Sequence, residues 1–404
     1  MPWFGFGFNA FGQIQPVSLK LHDTEPGLTS SDADTVRVLL PVRLTGCAGD
    51  HETPEQRLGG NEDQNPGKEG GKEGGKPCPL IKASWSRRAA LAQGGDGHIC
   101  LSGFGANPAN QKGCSHVSGS EGCQDALISE KCMTLAFTDR VECWDVEGME
   151  VKPVWKMEHS SVDKAGFSSA LPLVPGGYVT QSPPFYRPLS PELRACSLAL
   201  GTDHAVLLSA TGTVYTWGSG SHGQLGHGGL DSQAEPQAVE ALWGLPMGGV
   251  AAGGWHSVCV SAAGGDLYVW GWNESGQLGL PSRALRAELQ LRVPDSTSGT
   301  QEQGDTSEVF ISIQAFPALV DLPQGSEVTR VGCGSRHTAA VTCEGDLYTW
   351  GWGNYGQLGQ GAASSSDRPV RVQYFPDGQL CVVDVVCGSW NTFVWAIHGD
   401  AALS

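Results

Sequence analysis

Alternating hydrophobic and polar positions recur in three similar stretches of the chain, residues 201–228, 253–280 and 334–361. Each stretch begins with Gly-x-x-His and continues with an alternating apolar run, a glycine-containing turn, a second run ending in Tyr-x-Trp-Gly, and Gly-Gln-Leu-Gly. Alternation with a period of two is typical of half-buried strands, and a turn between two such runs is typical of a hairpin. Each stretch therefore predicts a pair of antiparallel strands.

The repetition predicts how these hairpins assemble. One unit cannot bury its apolar faces alone, so copies must pack on one another, and β units of this length arrange themselves radially as blades. Fainter copies occur in residues 83–105 and 133–144, and residues 151–195 leave room for one irregular blade. The sequence therefore predicts an all-β fold, a β-propeller of about seven blades. We expect a single domain over 1–404, with the clear repeats in 196–399.

The two ends of the chain complement each other. The last copy, residues 388–398, supplies a first strand, and no Tyr-x-Trp-Gly strand follows it. Residues 3–14 (WFGFGFNAFGQI) match the missing half, with Phe-Gly at 6–7 in place of Trp-Gly at 217–218. We therefore predict that the strand in 3–14 completes the last blade, which pairs edges that would otherwise invite aggregation.

Two segments lack the strand pattern. Residues 45–80 are dominated by Gly, Glu, Lys, Asn and Gln, and residues 282–307 by Arg, Glu, Gln, Ser, Thr and Gly. Segments of such composition cannot bury enough apolar surface to order themselves. We predict a disordered insertion at each place. The first could be a functional tether, although a plain loop expansion is commoner.

Composition narrows the classes of function. The chain has 42 acidic and 25 basic residues and a net charge of −17, so its overall field repels nucleic-acid backbones and argues against direct nucleic-acid binding. Its 13 cysteines include no Cys-x-x-Cys pair, which predicts reduced, structural thiols. No leader pattern and no bilayer-length apolar stretch is present, which argues against secretion and membrane insertion.

One glycine pattern imitates a dinucleotide-binding loop. Gly-x-Gly-x-x-Gly occurs at 218–223 and 351–356 after a predicted strand, but the residues that follow begin no amphipathic helix. The third copy has Asn273 at the middle glycine. Because Gly and Asn both tolerate positive φ, we interpret the motif as a turn that needs this backbone angle. The sequence predicts no cofactor here.

The repeat histidines imitate a catalytic or metal site. His204, His256 and His337 occupy one slot in different blades, so their side chains cannot converge on a metal or form a dyad. We expect each imidazole to hydrogen-bond to backbone at a blade boundary. The sequence predicts no metal site and no enzymatic activity.

The residue before each repeat histidine is a candidate for partner binding. Repeat symmetry places this position on a loop at one face of the ring. In the alignment of the copies its occupants are Trp85, Asp203, Trp255, Arg336 and Trp390. Trp and Arg are favoured in interface hot spots, and loops at the ends of a scaffold often carry function. We therefore predict that these residues form a partner-binding rim. The alternative is that the tryptophans only pack between blades.

A second candidate lies in residues 183–191, PPFYRPLSP. Four prolines exclude an interior strand, so the segment should be extended and close to the surface. Its Phe185, Tyr186 and Arg187 could anchor a protein partner. The alternative is a stiff connector between blades.

These motifs also carry a family resemblance. Gly-x-x-His followed by Tyr-x-Trp-Gly and Gly-Gln-Leu-Gly resembles the repeat of the regulator of chromosome condensation family over residues 196–399. The resemblance implies a β-propeller. The founding member is a guanine-nucleotide exchange factor for a small GTPase, which gives an alternative function. That member has a basic tail before its ring, whereas the first ring strand here begins at Trp3, so chromatin binding through DNA is not implied.

The order of features in residues 3–14, 84–105 and 183–399 resembles one member of that family in particular. This resemblance implies a non-enzymatic scaffold that is a partner of a Jumonji-C dioxygenase, acting on chromatin and in mitotic chromosome stability, with histones as a further partner. It implies a nuclear or chromosomal location with a cytosolic pool. We expect the ring itself to be a monomer.

Overall fold

A computed structural model describes residues 2–15, 36–44, 80–92, 97–104, 114–146, 152–159, 170–292 and 309–399. Most of the predicted insertion at 45–80 lies outside these residues, and its last residue, Leu80, begins a strand. Within the part of the chain that the structure describes, no helix has the length and apolar character needed to cross a bilayer.

Strands dominate the described residues, as the alternating pattern predicts. In chain order they are β1 Trp3–Phe8, β2 Arg37–Arg43, β3 Leu80–Ala83, β4 Arg87–Ala92, β5 His98–Gly103, β6 Ser115–His116, β7 Asp125–Ile128, β8 Cys132–Ala136, β9 Arg140–Asp145, β10 Trp155–Glu158, β11 Leu173–Val174, β12 Gly177–Val179, β13 Tyr186–Pro188, β14 Ala195–Leu200, β15 His204–Ser209, β16 Val214–Gly218, β17 Gln233–Ala238, β18 Met247–Ala252, β19 His256–Ser261, β20 Leu267–Trp272, β21 Ile313–Val320, β22 Val328–Cys333, β23 His337–Thr342, β24 Leu347–Gly351, β25 Ser366–Arg371, β26 Leu380–Cys387 and β27 Asn391–His398. Two α-helices lie in the described residues, α1 Arg283–Arg292 and α2 Tyr374–Asp377, and 3-10 turns span Pro191–Leu193, Glu240–Leu242 and Pro323–Gly325.

The strands form seven antiparallel sheets, which are the blades of a propeller. Blade 1 contains β3–β6, blade 2 β7–β10, blade 3 β11–β13, blade 4 β14–β17, blade 5 β18–β21, blade 6 β22–β25, and blade 7 β26, β27, β1 and β2. The first strand of one blade contacts the first strand of the next, as β18 contacts β22 and β22 contacts β26. The predicted seven-bladed β-propeller is confirmed.

Blade 7 is built from both ends of the chain. β1 lies between β27 and β2, and its pairing places Trp3 opposite Trp395 and Gly7 opposite Asn391. The predicted closure is confirmed, but each end supplies two strands, because β26 precedes β27 and β2 follows β1. β26 also contacts β3 of blade 1, which closes the ring.

Each clear blade buries a tryptophan of its third strand against the blade before it. The side chains of Trp270 in blade 5 and Trp350 in blade 6 are 0% exposed. Their indole N–H groups donate to the carbonyl oxygens of Gln224 and Gln277, at 2.8 and 3.0 Å. Burying one indole removes about 200 Å² from water, which stabilises the fold by about 5 kcal/mol before entropic losses. The Tyr-x-Trp-Gly motif therefore holds neighbouring blades together.

The prediction of a disordered loop over 282–307 is wrong in its first part, because residues 283–292 form α1. The Ser282 N–H donates to Asp367 Oδ2 of blade 6 at 2.9 Å, and Leu285 is buried. This anchor fixes the start of a segment rich in Arg, Ala, Leu and Glu, which are all good helix formers. Residues 293–307 lie outside the described residues.

Candidate functional site

The position before each repeat histidine lies at one end of the propeller, here called the loop face. The loop face contains the turn between the first and second strands of a blade and the connection between its third and fourth strands. Successive antiparallel strands alternate in direction, so these two connections lie together, while the turn between the second and third strands lies at the opposite face. The three candidates Trp255, Arg336 and Trp390 thus lie on loops of one face.

A backbone hydrogen bond defines this position in each blade. The carbonyl oxygens of Asp203, Trp255, Arg336 and Trp390 accept from the N–H groups of Ser219, Trp272, Trp352 and Phe8, at 2.8–2.9 Å. In each case the donor follows a glycine that is paired with the repeat histidine or its counterpart Asn391. The same contact therefore joins the first turn to the third strand in blades 4 to 7.

The alignment of Trp85 with this position is wrong by one residue. In blade 1 the carbonyl of Ser86 accepts from Phe104 N–H at 3.1 Å, so Ser86 occupies the position and Trp85 precedes it. The reason is that Arg87 stands at the histidine position, paired with Gly103. Its guanidinium donates to the carbonyl of Glu130 in blade 2 and thus makes the contact to the next blade.

Two further loop-face positions carry aromatic residues that the sequence analysis missed. The residue after the paired glycine is Phe8, Phe104, Trp272 or Trp352 in four blades and Ser219 in the fifth. The residue before Gly-Gln is Phe11, His222 or Tyr355 in three blades. A buried glutamine orients the second position, since Tyr355 N–H donates to Gln357 Oε1 at 3.0 Å. Both aromatic positions can be found in the sequence when the repeats are compared at the residue after the paired glycine and at the residue before Gly-Gln, as well as at the residue before the histidine.

These side chains form a band over blades 4 to 7 and blade 1, here called the aromatic arc. Its members, in order around the ring, are His222, Trp255, Trp272, Arg336, Trp352, Tyr355, Trp390, Phe8, Phe11, Trp85 and Phe104. Rings of one blade contact rings of the next at several seams. Tyr355 of blade 6, for example, lies 6.2 Å from Trp390 and 4.9 Å from Phe8 of blade 7, between ring centroids.

Most of the arc's rings pack edge to face with a neighbour, and all of them except the buried Phe8 remain partly accessible. Trp255 and Trp272 lie 5.4 Å apart at 89°, and Trp352 and Trp390 lie 4.8 Å apart at 69°. Such pairs contribute about 0.5–1.5 kcal/mol beyond the area that they bury. Each of these four rings is half-buried. The arc therefore stabilises blade seams and also presents aromatic surface to solvent.

The repeat histidines link blades through hydroxyl groups. The three bridges are His204 to Ser257, His256 to Thr338 and His337 to Thr392, with Nε2 to hydroxyl distances of 2.9, 2.9 and 3.0 Å. Each hydroxyl donates its hydrogen to a glutamine carbonyl at 2.7–2.8 Å. Nε2 must therefore carry the proton and donate. The expected backbone partner is wrong, because a hydroxyl stands between the imidazole and that carbonyl.

Burial keeps these imidazoles neutral. It lowers the pKa of His204 to about 4 and the pKa of His256 and His337 to about 3. The three rings lie in separate seams and do not converge. Among the described residues, no group of three or more His, Cys, Asp or Glu side chains could hold a metal ion.

The middle glycine of Gly-x-Gly-x-x-Gly does not have the positive φ predicted for it. The glycines at both ends of the motif have a positive φ, but the middle glycines Gly220 and Gly353 do not. A Cβ on Gly353 would instead collide with the carbonyl oxygen of Ser364. The close approach of these two parts of the loop therefore requires glycine at this position. At this position in blade 5, Asn273 donates from its amide to the carbonyl of Leu280 at 2.9 Å.

The second sequence candidate lies apart from the arc. Tyr186 and Arg187 belong to β13, the last strand of blade 3, and Phe185 precedes it. The Phe185 ring lies 6.4 Å from Trp155 at the start of β10 in blade 2. Arg187 is exposed and Tyr186 is half-buried. Among the described residues, no ring contact joins this pair to the aromatic arc.

Comparison with known proteins places the fold in a family. The repeat described as regulator of chromosome condensation (RCC1) repeat matches residues 211–260, 264–341 and 344–395, and a second description of the same repeat matches 195–224, 249–277 and 328–357. The Homo sapiens RCC1 domain-containing protein 1 is 46% identical over 345 residues, which cover 79% of this chain and 88% of that protein.

Two solved structures share the fold. Yeast RCC1 (Prp20), solved with Kap60 bound, superposes with a TM-score of 0.64 at 15% identity and covers 98% of this chain and 89% of that one. Prp20p from Saccharomyces cerevisiae, described with its binding properties to Gsp1p and histones, gives a TM-score of 0.61 at 14% identity, with 98% and 91% covered. At these identities the likeness concerns the fold alone. The repeats and the identity to the human relative show that this chain belongs to the regulator of chromosome condensation (RCC1) repeat family.

Proposed function

We propose that this chain is a non-enzymatic scaffold that binds a protein partner on the aromatic arc. The observation that carries the proposal is that half-buried or exposed tryptophans, phenylalanines and a tyrosine gather on one face of a rigid ring. Aromatic side chains and arginine dominate interface hot spots, and contiguous exposed apolar patches mark interaction sites. Trp255, Arg336 and Trp390 are the anchors at the centre of this surface.

We also propose a chromatin setting for this scaffold. Its partners would be a Jumonji-C dioxygenase and histones, its role would be chromosome stability in mitosis, and it would be nuclear with a cytosolic pool. The support is the family membership and the yeast family member whose structure is described with histone binding. The net charge of −17 favours basic partners such as histones over nucleic acid.

Substitution of the central tryptophans tests the arc. Trp255→Ala and Trp390→Ala should each weaken capture of a co-expressed Jumonji-C dioxygenase by about 1–3 kcal/mol, which is about 5- to 150-fold. Binding is measured by titration with purified proteins, and the melting midpoint reports on folding. The matched control is Trp243→Ala, because Trp243 is 65% exposed on the opposite face. Unchanged binding in both arc variants would refute the proposal.

The edge of blade 3 provides a second candidate surface. Phe185, Tyr186 and Arg187 are half-buried or exposed beside Trp155. The double variant Phe185→Ala/Arg187→Ala should leave capture of the dioxygenase unchanged if the arc is the main interface. A loss comparable to that of Trp255→Ala would instead place the interface at blade 3.

Nucleotide exchange is the alternative function, and one solved family member is described with binding to Gsp1p. An exchange factor accelerates nucleotide release from a small GTPase at catalytic amounts. We expect no acceleration when this chain is added to a panel of GTPases loaded with a fluorescent guanine nucleotide. If the intact chain accelerates nucleotide release and an arc variant does not, the exchange activity would be assigned to the same face of the ring.

A further inference from the structure

One end of the aromatic arc lies at the seam where blade 7 meets blade 1. Phe11 reaches it from the loop after β1, Trp85 from the turn before β4, and Phe104 from the end of β5. The Trp85 and Phe104 rings lie 5.7 and 5.6 Å from Phe11, at 81° and 80° to its plane. Trp85 is 44% exposed and Phe104 53% exposed, more than the half-buried rings in the middle of the arc.

The chemistry of this end favours a cation. The faces of aromatic rings attract guanidinium and ammonium groups. This protein already uses that attraction, because the guanidinium of Arg336 lies 4.7 Å from the centroid of Trp272 and that of Arg87 lies 5.2 Å from the centroid of Phe104. A guanidinium brought by a partner would meet the same kind of ring surface at Trp85 and Phe104.

An ionised carboxylate contacts the turn that carries Trp85. Glu130 accepts from the Ser86 N–H at 3.1 Å, next to Trp85 in the chain, and its side chain is 38% exposed. Burial would raise the pKa of this carboxyl, but hydrogen bonds from Ser84 and Ser86 and the charge of Arg87 outweigh that effect and lower the pKa. Glu130 is therefore charged at neutral pH. The net charge of −17 adds a field that concentrates cations around the molecule.

We propose that Phe11, Trp85 and Phe104 form a subsite for an arginine side chain from a basic segment of the partner. This inference rests on the proposed partner-binding role of the arc and adds the chemical class that one end of it recognises. Arginine suits the subsite better than lysine does. Its planar, weakly hydrated guanidinium stacks on a ring and keeps N–H groups free for a carboxylate such as that of Glu130.

Binding of labelled peptides to the full chain tests the subsite. The probe is a short fluorescein-labelled glycine–serine peptide carrying several arginines, and matched peptides carry lysine or the neutral isostere citrulline. Fluorescence anisotropy should show that the arginine peptide binds most tightly, the lysine peptide more weakly and the citrulline peptide most weakly. Trp85→Ala and Phe104→Ala should each raise the Kd of the arginine peptide about 2- to 30-fold, and Trp85→Phe should restore most of the binding.

The controls separate this inference from the proposed function. Trp243→Ala, on the opposite face, should leave the Kd unchanged, and melting midpoints should show that Trp85→Ala is folded. Equal binding of citrulline and arginine peptides, or an unchanged Kd in both subsite variants, would overturn the subsite. That result would leave the arc intact as an interface if Trp255→Ala and Trp390→Ala still lose the partner. Intact capture in those variants, together with arginine-selective binding, would overturn only the proposed function.

Discussion

His256 shows how a polar side chain is tolerated in the middle of this propeller. It is 0% exposed, and its Nε2 donates to the hydroxyl of Thr338 in the next blade. That hydroxyl donates in turn to the carbonyl of Gln277, which also accepts from the indole of Trp350. Breaking such a chain would leave buried groups unsatisfied, at a cost of about 1–3 kcal/mol for each group. The imidazole must be neutral for the chain to hold.

This neutrality predicts acid sensitivity. The unfolded chain protonates its imidazoles below the ordinary pKa of 6.5, whereas folded His204 stays neutral to about pH 4, and His256 and His337 to about pH 3. At these imidazoles the unfolded state therefore binds more protons in this interval, so their contribution to stability is fully present above pH 6.5 and falls as the pH decreases. The three imidazoles together should lower the free energy of unfolding by about 4 kcal/mol per pH unit. Melting midpoints from pH 7.5 to about 4 measure the loss.

His256→Gln isolates one of these imidazoles. Glutamine can still donate to Thr338 but does not titrate, so the pH slope of this variant should be shallower than that of the unsubstituted protein by about 1.4 kcal/mol per pH unit. Burial raises the pKa of Asp125 and Asp384, which gives the opposite pH dependence. Both carboxyls are present in the two proteins, so their contribution cancels in the comparison. Equal slopes would contradict the assignment of the acid loss to these imidazoles.

At the scale of the element, the end of each third strand requires glycine. Gly351 closes β24 opposite His337 with a φ of +101°, and a Cβ there would lie 2.5 Å from the carbonyl oxygen of Arg336. That carbonyl is the one that defines the loop position of the arc. The glycine thus lets the third strand approach the first turn closely enough to place Arg336 beside Trp272.

Gly351→Ala should therefore destabilise the protein strongly. The left-handed backbone alone costs about 1–3 kcal/mol for a residue with a side chain, and the contact with the Arg336 carbonyl adds to this. The matched control is Gly249→Ala in β18, where a Cβ would meet no atom within 4 Å and φ is not positive. Denaturant unfolding should show the loss for the first variant and a change within about 0.5 kcal/mol for the second. Similar values for both would show that the close approach is relaxed at little cost.

The periodic features of these elements could be predicted from the sequence, and the exceptions could not. Strand pairs and closure by β1 follow from the alternating pattern and from Phe-Gly matching Trp-Gly. The offset at Trp85 could not be seen, because Arg87 replaces histidine and its partner Glu130 lies in another blade. α1 was missed because its anchor, the bond from Ser282 to Asp367, joins segments far apart in the chain.

At the scale of the whole molecule, blade 7 determines whether the ring exists. β1 pairs on both edges, with β27 and with β2, and its Trp3, Phe4 and Phe6 are buried in the largest hydrophobic cluster of the described residues. The arc depends on the same closure, since Phe8 ends β1, Phe11 follows it, and the two rings bridge Tyr355 to Trp85. Stability and the proposed partner surface are therefore coupled through the chain ends.

Removal of residues 1–14 should lower the melting midpoint substantially. It would delete the third strand of blade 7, with several backbone hydrogen bonds at about 1 kcal/mol each, and would expose the side chains that face β1. A midpoint that does not move after this deletion would contradict closure by β1.

A circular permutant shows whether the deletion of residues 1–14 lowers the melting midpoint because the ring is no longer closed or only because the chain is shorter. Pro2 and Ala396 lie close enough for a backbone hydrogen bond, and Trp3 pairs with Trp395, so a short glycine–serine loop can join Gly399 to Pro2 as a hairpin. New ends placed within residues 45–79 interrupt none of the 27 described strands. Because every blade keeps all its strands, the permutant should melt within a few degrees of the natural order and should bind the same partner. A permutant that melts as low as the deletion of residues 1–14 would show that the native order of the ends, rather than their pairing in one sheet, maintains the ring.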